Sequence, residues 1–304
     1  MTGSAEARLG RLVETGELKF VYVLGLARSS STIVCRMLGT ALDGAVFEPA
    51  TPVSPDRRGH YARTILRAFG KARKAIGSDR PVSLAIKDLS LFLDDPLFLE
   101  TAAAASHVVF TVREPVAQYA SLRRQLAGEF AFAQRVDAVL RHPFEALWMA
   151  WYFVLCGRSF IAETRAALPG TTAPLHRLAT AGWNLRSFVN MERQIEKLGV
   201  PATVLDAGWL RQDPAGAEAL LRRIAAPIAR RGRRADVEVP GHSRMLPRSR
   251  WAAEALASRH ITAATGRTAP PPAPDAFDAA LLARVAEPYR RIRAMGMPLR
   301  VPAQ

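Results

Sequence analysis

Two stretches of this 304-residue sequence carry the residue types, in the order, that anion binding needs. In Gly25–Thr32 (GLARSSST) one guanidinium, Arg28, precedes the hydroxyls of Ser29, Ser30, Ser31 and Thr32. An apolar run comes before it, and a helically spaced run, IVCRMLGTAL, follows. Strand, small-residue loop and helix in that order aim backbone N–H groups and a helix N-terminus at one point, which favours a phosphate or sulfate. An ordinary Ser/Thr-capped strand-to-helix turn has the same pattern, so the loop alone leaves both readings open. The second stretch is Arg113-Glu114-Pro115, with Ser121 eight residues beyond Arg113. Arg113 ends an apolar run, and Ser121 falls about two turns into the helix that Pro115 is placed to start. An arginine fork and a hydroxyl so placed can grip a second phosphate.

The first stretch departs from the triphosphate-binding loop G-x-x-x-x-G-K-[ST] at two positions: Ser30 replaces the second glycine and Ser31 the lysine. Enzymes of that class reach the β and γ phosphates with the lysine, so its absence argues against a kinase or ATPase. A P-loop phosphotransferase remains the enzymatic alternative. Lys and Arg total 42 against 27 Asp and Glu, a net charge of +15. Such an excess fits an anionic partner, or simply an Ala- and Arg-rich composition. Together with the basic run at 230–234 it is the whole case for a nucleic-acid-binding protein without enzymatic activity.

The elements that must position these residues are legible. Lys19–Gly25, Pro81–Lys87, His107–Val112 and Pro201–Leu205 predict four buried strands. Helical patterns lie over 58–77, Pro96–Ala105, the residues from Pro115, Phe144–Leu168, a stretch ending in Met191–Leu198, Pro214–Ile228 and Ala276–Met295. That alternation predicts an α/β fold, a parallel sheet between two helical layers. The proline-rich Thr268–Asp275 lies too near the end to separate two domains, so 1–304 is read as one.

The composition, with 49% hydrophobic residues, excludes a mostly disordered chain. No apolar run reaches the roughly 18 residues of a membrane span, and the N-terminal residues lack the apolar stretch of a signal peptide. A soluble cytoplasmic protein with no membrane partner is the expectation. Cys35 and Cys156 suffice for neither a disulfide framework nor a zinc site. His107 and His142 read as structural. The stripe Trp148, Trp151, Tyr152 and Phe153 reads as core before acceptor pocket.

Taken in order, the motifs resemble those of the sulfotransferases that use 3'-phosphoadenosine 5'-phosphosulfate (PAPS). Their 5'-phosphosulfate loop, P-[KR]-S-G-[ST]-[ST], is similar to Ala27–Thr32 except at Ala27 and Ser30. Their 3'-phosphate motif, R-[DNE]-P with a serine eight residues on, is similar to Arg113-Glu114-Pro115 and Ser121. Thr203–Asp206, Trp209-Leu210 and Asp213-Pro214 look like a diverged Y-E-D-L and D-P segment. The resemblance covers about residues 19–228, the PAPS-binding core, with a basic loop and helix over 229–304. It implies a P-loop-like sulfotransferase architecture and a soluble bacterial enzyme. The reaction implied is sulfuryl transfer from PAPS to a hydroxyl or amine of a small-molecule acceptor, leaving 3',5'-ADP, with no metal and no nucleic-acid partner.

The resemblance also implies roles. Ile86-Lys87-Asp88-Leu89 is similar to the I-K-T-H segment of the aryl members, but Leu89 replaces the histidine base. Val46-Phe47-Glu48-Pro49 is similar to the glutamate segment of carbohydrate and tyrosyl members, which makes Glu48 the expected base, with Asp88 and His60 in reserve. Lys87 is expected to neutralise the leaving oxygen, and Arg28, Ser29, Ser30, Ser31, Thr32, Arg113 and Ser121 to bind PAPS. Arg244, in the late basic segment from Gly241, matches only by position a loop that closes over the 3'-phosphate. The alternative for Glu48 is a solvated loop carboxylate and for Lys87 an edge-of-strand surface lysine, while Gly241–Trp251 reads equally as a solvated basic loop.

Overall fold

Strand β1 (Leu18–Gly25) is apolar on both faces, and such a strand must be covered on both sides. The computed structural model, which describes residues 4–50, 56–77, 79–133, 157–198, 202–229, 235–240 and 273–295, supplies that cover. β1 lies inside a six-stranded sheet of order β5-β4-β1-β3-β2-β6. Its partners are β2 (Gly44–Phe47), β3 (Val82–Leu89), β4 (His107–Val112), β5 (Ala202–Asp206) and β6 (Val237–Pro240). Every pairing is parallel. The fold is α/β, with helices on both faces.

Alternate residues of β1 divide between two cores. Val21 and Val23 face α2 (Ser31–Ala41) and the helix Pro214–Ala225, through Val34, Leu38 and Leu221. Phe20, Tyr22 and Leu24 belong to the opposite core, built with α3 (Arg57–Ile76), α4 (Asp95–Ala104), the long helix Leu175–Glu196 and the C-terminal helix Ala276–Met295. A small third cluster joins Ala27 to Leu122 and Leu126 of α5 (Pro115–Ala133).

The four expected strands are present, and two more extend the sheet beyond β3, β2 beside it and β6 at the edge. β2 and β6 span four residues each, too few for their apolar pattern to stand out from a helix end or a loop. Non-local contact makes them strands. A Cβ on Gly44 would meet the carbonyl oxygen of Val237 at 2.2 Å, so the β2–β6 pairing depends on a bare backbone there. The helices fall close to their expected places, and the terminal one spans Ala276–Met295 as expected. Residues 157–167 are helical and Leu168 follows in a bend, whereas residues 144–156 of the expected helix, with Trp148, Trp151, Tyr152 and Phe153, lie outside the described residues, as does His142. Among the described residues no helix is long and apolar enough to cross a membrane.

The strand order fixes where a ligand belongs. The chain leaves β1 through α2 toward β2, on one side, and leaves β4 through α5 toward β5, on the other. β1 and β4 are neighbours whose onward connections diverge, and ligands of open parallel sheets sit at the carboxyl ends of such a pair. The residues that follow those ends are Leu26–Ser30 and Arg113. A cavity of about 270 Å³ lies elsewhere, between α1 (Ala5–Glu14), α3 and α4, lined by Leu9, Val13, Phe20, Tyr61, Ile65 and Leu97. Phe20 sits near the amino end of β1, away from the switch point.

Candidate active site

The loop after β1 is a tight turn with two left-handed residues. Arg28 has φ +67° and Ser30 φ +68°, in the region that favours glycine. Ser30 occupies the position where the resemblance expects glycine, and its backbone conformation explains that preference. Gly25 is required for a different reason: a Cβ there would fall 2.4 Å from Ser31 Cβ and 2.8 Å from Thr111 Oγ1. The absence of that Cβ lets α2 start close over the end of β1.

Most helices at this edge carry their own anion, and α2 does not. Glu114 accepts from the N–H groups of Val116 and Ala117 at the start of α5, at 3.0 and 2.9 Å. Asp206 and Asp213 cap the helices Ala207–Gln212 and Pro214–Ala225 in the same way. Ser30, at the N-cap of α2, makes no side-chain cap bond. The first turn of α2 thus presents backbone N–H groups, with the positive end of its dipole and without a built-in carboxylate.

Arg113 and Ser121 meet this loop directly. Arg28 Nε donates to Ser121 Oγ at 3.2 Å, and Arg113 Nη1 donates to the carbonyl oxygen of Arg28 at 3.3 Å. Behind them a buried amide chain holds the loop: Gln118 Nε2 donates to the carbonyl of Ala27 at 2.9 Å, and Asn184 Nδ2 donates to Gln118 Oε1. Burial, and then the positive charges of Arg211, Arg28 and Arg124, push the Arg113 guanidinium down to about 10. Glu114 acts in the other direction without cancelling them. The switch point is therefore a partly desolvated place with excess positive charge.

On the other side of β1, Lys87 and Glu48 form an ion pair. Lys87 sits at the Cα register of Val23 in β1 and Phe47 in β2, and only 2% of its side chain is exposed, against 21% for Glu48. Lys87 is thus buried, not an edge-of-strand surface group. The backbone assists, since the Glu48 N–H donates to the Lys87 carbonyl at 2.5 Å and Glu48 adopts φ +53°. Asp88, one residue along β3, belongs to the opposite core, as strand alternation requires. It is fully buried and accepts from Tyr22 Oη at 3.2 Å and from the Ala50 N–H at 2.9 Å. Burial pushes its carboxyl up to about 7, although the Ala50 N–H and Lys87 favour the charged form. Both of its oxygens are thereby engaged, one of them in fixing the turn that follows Glu48. His60 lies in the first turn of α3, and Leu89 is buried.

The remaining residues divide. Ser29 Oγ is buried and engaged with the Leu26 carbonyl at 2.6 Å and Thr111 Oγ1 at 2.7 Å, so it locks the turn instead of facing outward. Ser31 is buried beneath Gly25, and Thr32 lies half-buried in the first turn of α2. His107 bonds Thr203 Oγ1 at 2.9 Å across β4 and β5, as a structural histidine would. Arg244 and the 230–234 run lie outside the described residues. Sequence reading passed over Thr111, Gln118, Asn184, Arg124 and Arg211. Only Arg124 had a local signal, its place one helical turn after Ser121. Among the described residues no cluster of His, Cys, Asp or Glu is arranged to hold a metal ion. Compared with protein-family models, curated proteins and solved structures, the chain finds no match.

Proposed function

We propose that this chain is a PAPS-dependent sulfotransferase acting on a hydroxyl or amine of a small-molecule acceptor. The observation that carries the reading is the meeting of the two anion-binding stretches at the switch point, where Arg28 contacts Ser121 and Arg113 contacts the Arg28 carbonyl. A nucleotide with charged groups on both its 5' and 3' positions matches two adjacent anion subsites, whereas a simple 5'-phosphate ester leaves one unused. The uncapped first turn of α2 and the excess charge around Arg113 fit those two groups. The sulfotransferase architecture, the single domain over 1–304 and a cytoplasmic location belong to the same reading.

PAPS supplies the sulfuryl group: the acceptor atom bonds to sulfur as the S–O bond to the 5'-phosphate breaks, and 3',5'-ADP leaves. The first turn of α2, with Arg28, binds the 5' end. Arg113 and Ser121 bind the 3'-phosphate and set the nucleotide's register. Glu48, the more exposed member of its ion pair, takes the acceptor proton onto a carboxylate oxygen. Lys87, buried beside it, offsets negative charge that develops on the bridging oxygen. Incubation with radiolabelled PAPS and a panel of phenols, alkyl alcohols, sugars and amines tests this. The expected result is a labelled product with an equal amount of 3',5'-ADP. No labelled product with any acceptor class, together with no binding of 3',5'-ADP, overturns it.

A further inference from the structure

The excess of positive charge at the switch point is larger than the motif residues account for. Arg113 follows β4, and β5 runs beside it with Asp206 at the register of Val112. The helix Ala207–Gln212 begins at once after Asp206, and Arg211 lies in its last turn. Arg124 lies on α5 three residues after Ser121, on the same face of that helix. Both side chains belong to exposed residues. Neither Arg113, Arg124 nor Arg211 forms an ion pair with any of the described residues. Of the charges acting on Arg113, that of Arg211 is the strongest, ahead of Arg28 and Arg124, and all three disfavour its protonated form. Glu114, whose charge acts on Arg113 in the other direction, has both oxygens on the N–H groups of α5.

Like charges gathered beside a partly buried guanidinium cost free energy that an anion of matching charge returns. A phosphate monoester at neutral pH carries close to two negative charges, more than Arg113 alone can balance. We infer that Arg211 and Arg124 form the outer wall of the 3'-phosphate subsite and determine the preference for a 3'-phosphorylated nucleotide over its 5'-monophosphate counterpart. This rests on the proposed PAPS reading and adds two residues that the motifs do not contain. Because the inference assigns both residues to the 3' end, their removal is expected to affect that end of the nucleotide and not the 5' end.

Titration calorimetry with 3',5'-ADP and with 5'-AMP, at one fixed salt concentration, tests it on the full chain. The variants are Arg211→Ala, Arg124→Ala and, as a control for generic loss of charge, Arg67→Ala on α3. A charge-assisted contact corresponds to about a tenfold or greater change in affinity. Arg211→Ala is expected to weaken 3',5'-ADP by about tenfold and 5'-AMP by less than twofold, with Arg124→Ala showing the same pattern to a smaller extent. Arg67→Ala should change neither. Unchanged melting temperatures confirm that the variants are folded. If the wild-type chain prefers 3',5'-ADP but both variants keep that preference, the inference fails and the PAPS reading stands. If the wild-type chain binds the two nucleotides equally, the reading fails and the inference with it.

Discussion

Two sets of arginines lie against the same sheet, and they differ in whether the chain supplies their counter-charge. Arg36 is a buried residue of α2, with Nε 2.6 Å from Glu238 of β6 and its guanidinium 5.4 Å from the centre of the Phe47 ring. Arg80 forks onto Asp43, at 2.6 and 3.1 Å, and Asp43 also accepts from the Ser83 N–H and hydroxyl. In both, charge and hydrogen-bonding capacity are matched within the fold. Arg113, Arg124 and Arg211 gather at the switch point with no such match among the described residues. Matched charge is part of the architecture. Unmatched charge, concentrated where the topology opens a crevice, is what the proposed reading assigns to a ligand.

That contrast can be broken at several points. The largest effect is expected at the Lys87–Glu48 ion pair: Glu48→Gln keeps the shape but removes the proton acceptor, and should lower kcat by roughly 10²–10⁴-fold with 3',5'-ADP affinity unchanged. Melting temperatures measured alongside separate lost chemistry from lost stability, since Lys87 is left buried with a neutral partner. Wild-type turnover of a neutral alcohol by this variant would place the base elsewhere.

On the architectural side, Asp43→Ala removes a buried carboxylate that serves Arg80 and Ser83, and should cost on the order of 3 kcal/mol of stability. Denaturant titration reads this directly, and nucleotide affinity of the folded fraction should not move. Arg113→Ala should behave in the opposite way. It weakens 3',5'-ADP binding by about 1.5–3 kcal/mol while leaving the melting temperature equal or higher, because a crowded positive charge is gone. A marked fall in melting temperature would make Arg113 architectural and dissolve the contrast.

The two faces of β3 differ too, since Lys87 holds a carboxylate on one and Asp88 meets tyrosines and a backbone N–H on the other. The folded chain raises the Asp88 carboxyl from 3.8 to about 7. It therefore binds that proton more tightly than the unfolded chain does. The stability it contributes is complete below about pH 3.8 and is lost as pH rises through about 7. The slope is at most about 1.4 kcal/mol per pH unit within that window. Asp88→Asn should remove this dependence, so its melting temperature relative to wild type should rise between pH 4 and pH 8. A constant difference would contradict the assignment. The smallest effect belongs to Ser30→Gly. Relief of the left-handed serine should stabilise by about 1 kcal/mol, which calorimetry detects as a rise of about 2 °C. Tighter 3',5'-ADP binding would show in addition that the Ser30 Cβ crowds the loop.

Much of this was readable in advance, for identifiable reasons. β1, β3 and β4 carry long apolar runs because a parallel strand inside the sheet is buried on both faces, and that signal is local, whereas β5, at the sheet edge, buries only alternate residues. That Arg28, Arg113 and Ser121 come together was legible because each stands just after a parallel strand or about two turns into the helix that follows. Their anion-binding role is not shown by that meeting and belongs to the proposed reading. Ser29 shows the limit of such reading. Its type and place fit a phosphate-binding hydroxyl, yet its Oγ turns inward to Thr111, 82 residues away in sequence.

What the sequence determined by itself is therefore the set of elements and the chemistry available at their ends, since both follow from residue type and short-range periodicity. The tertiary structure decided the rest. It made strands of Gly44–Phe47 and Val237–Pro240 by pairing them, and it buried Lys87 against Glu48 from the end of β2. It also brought the charge of Arg211, in the helix after β5, to bear on Arg113, nearly one hundred residues earlier. Strand order and register are long-range properties, fixed by how the two cores close over the sheet, and no window of neighbouring residues contains them.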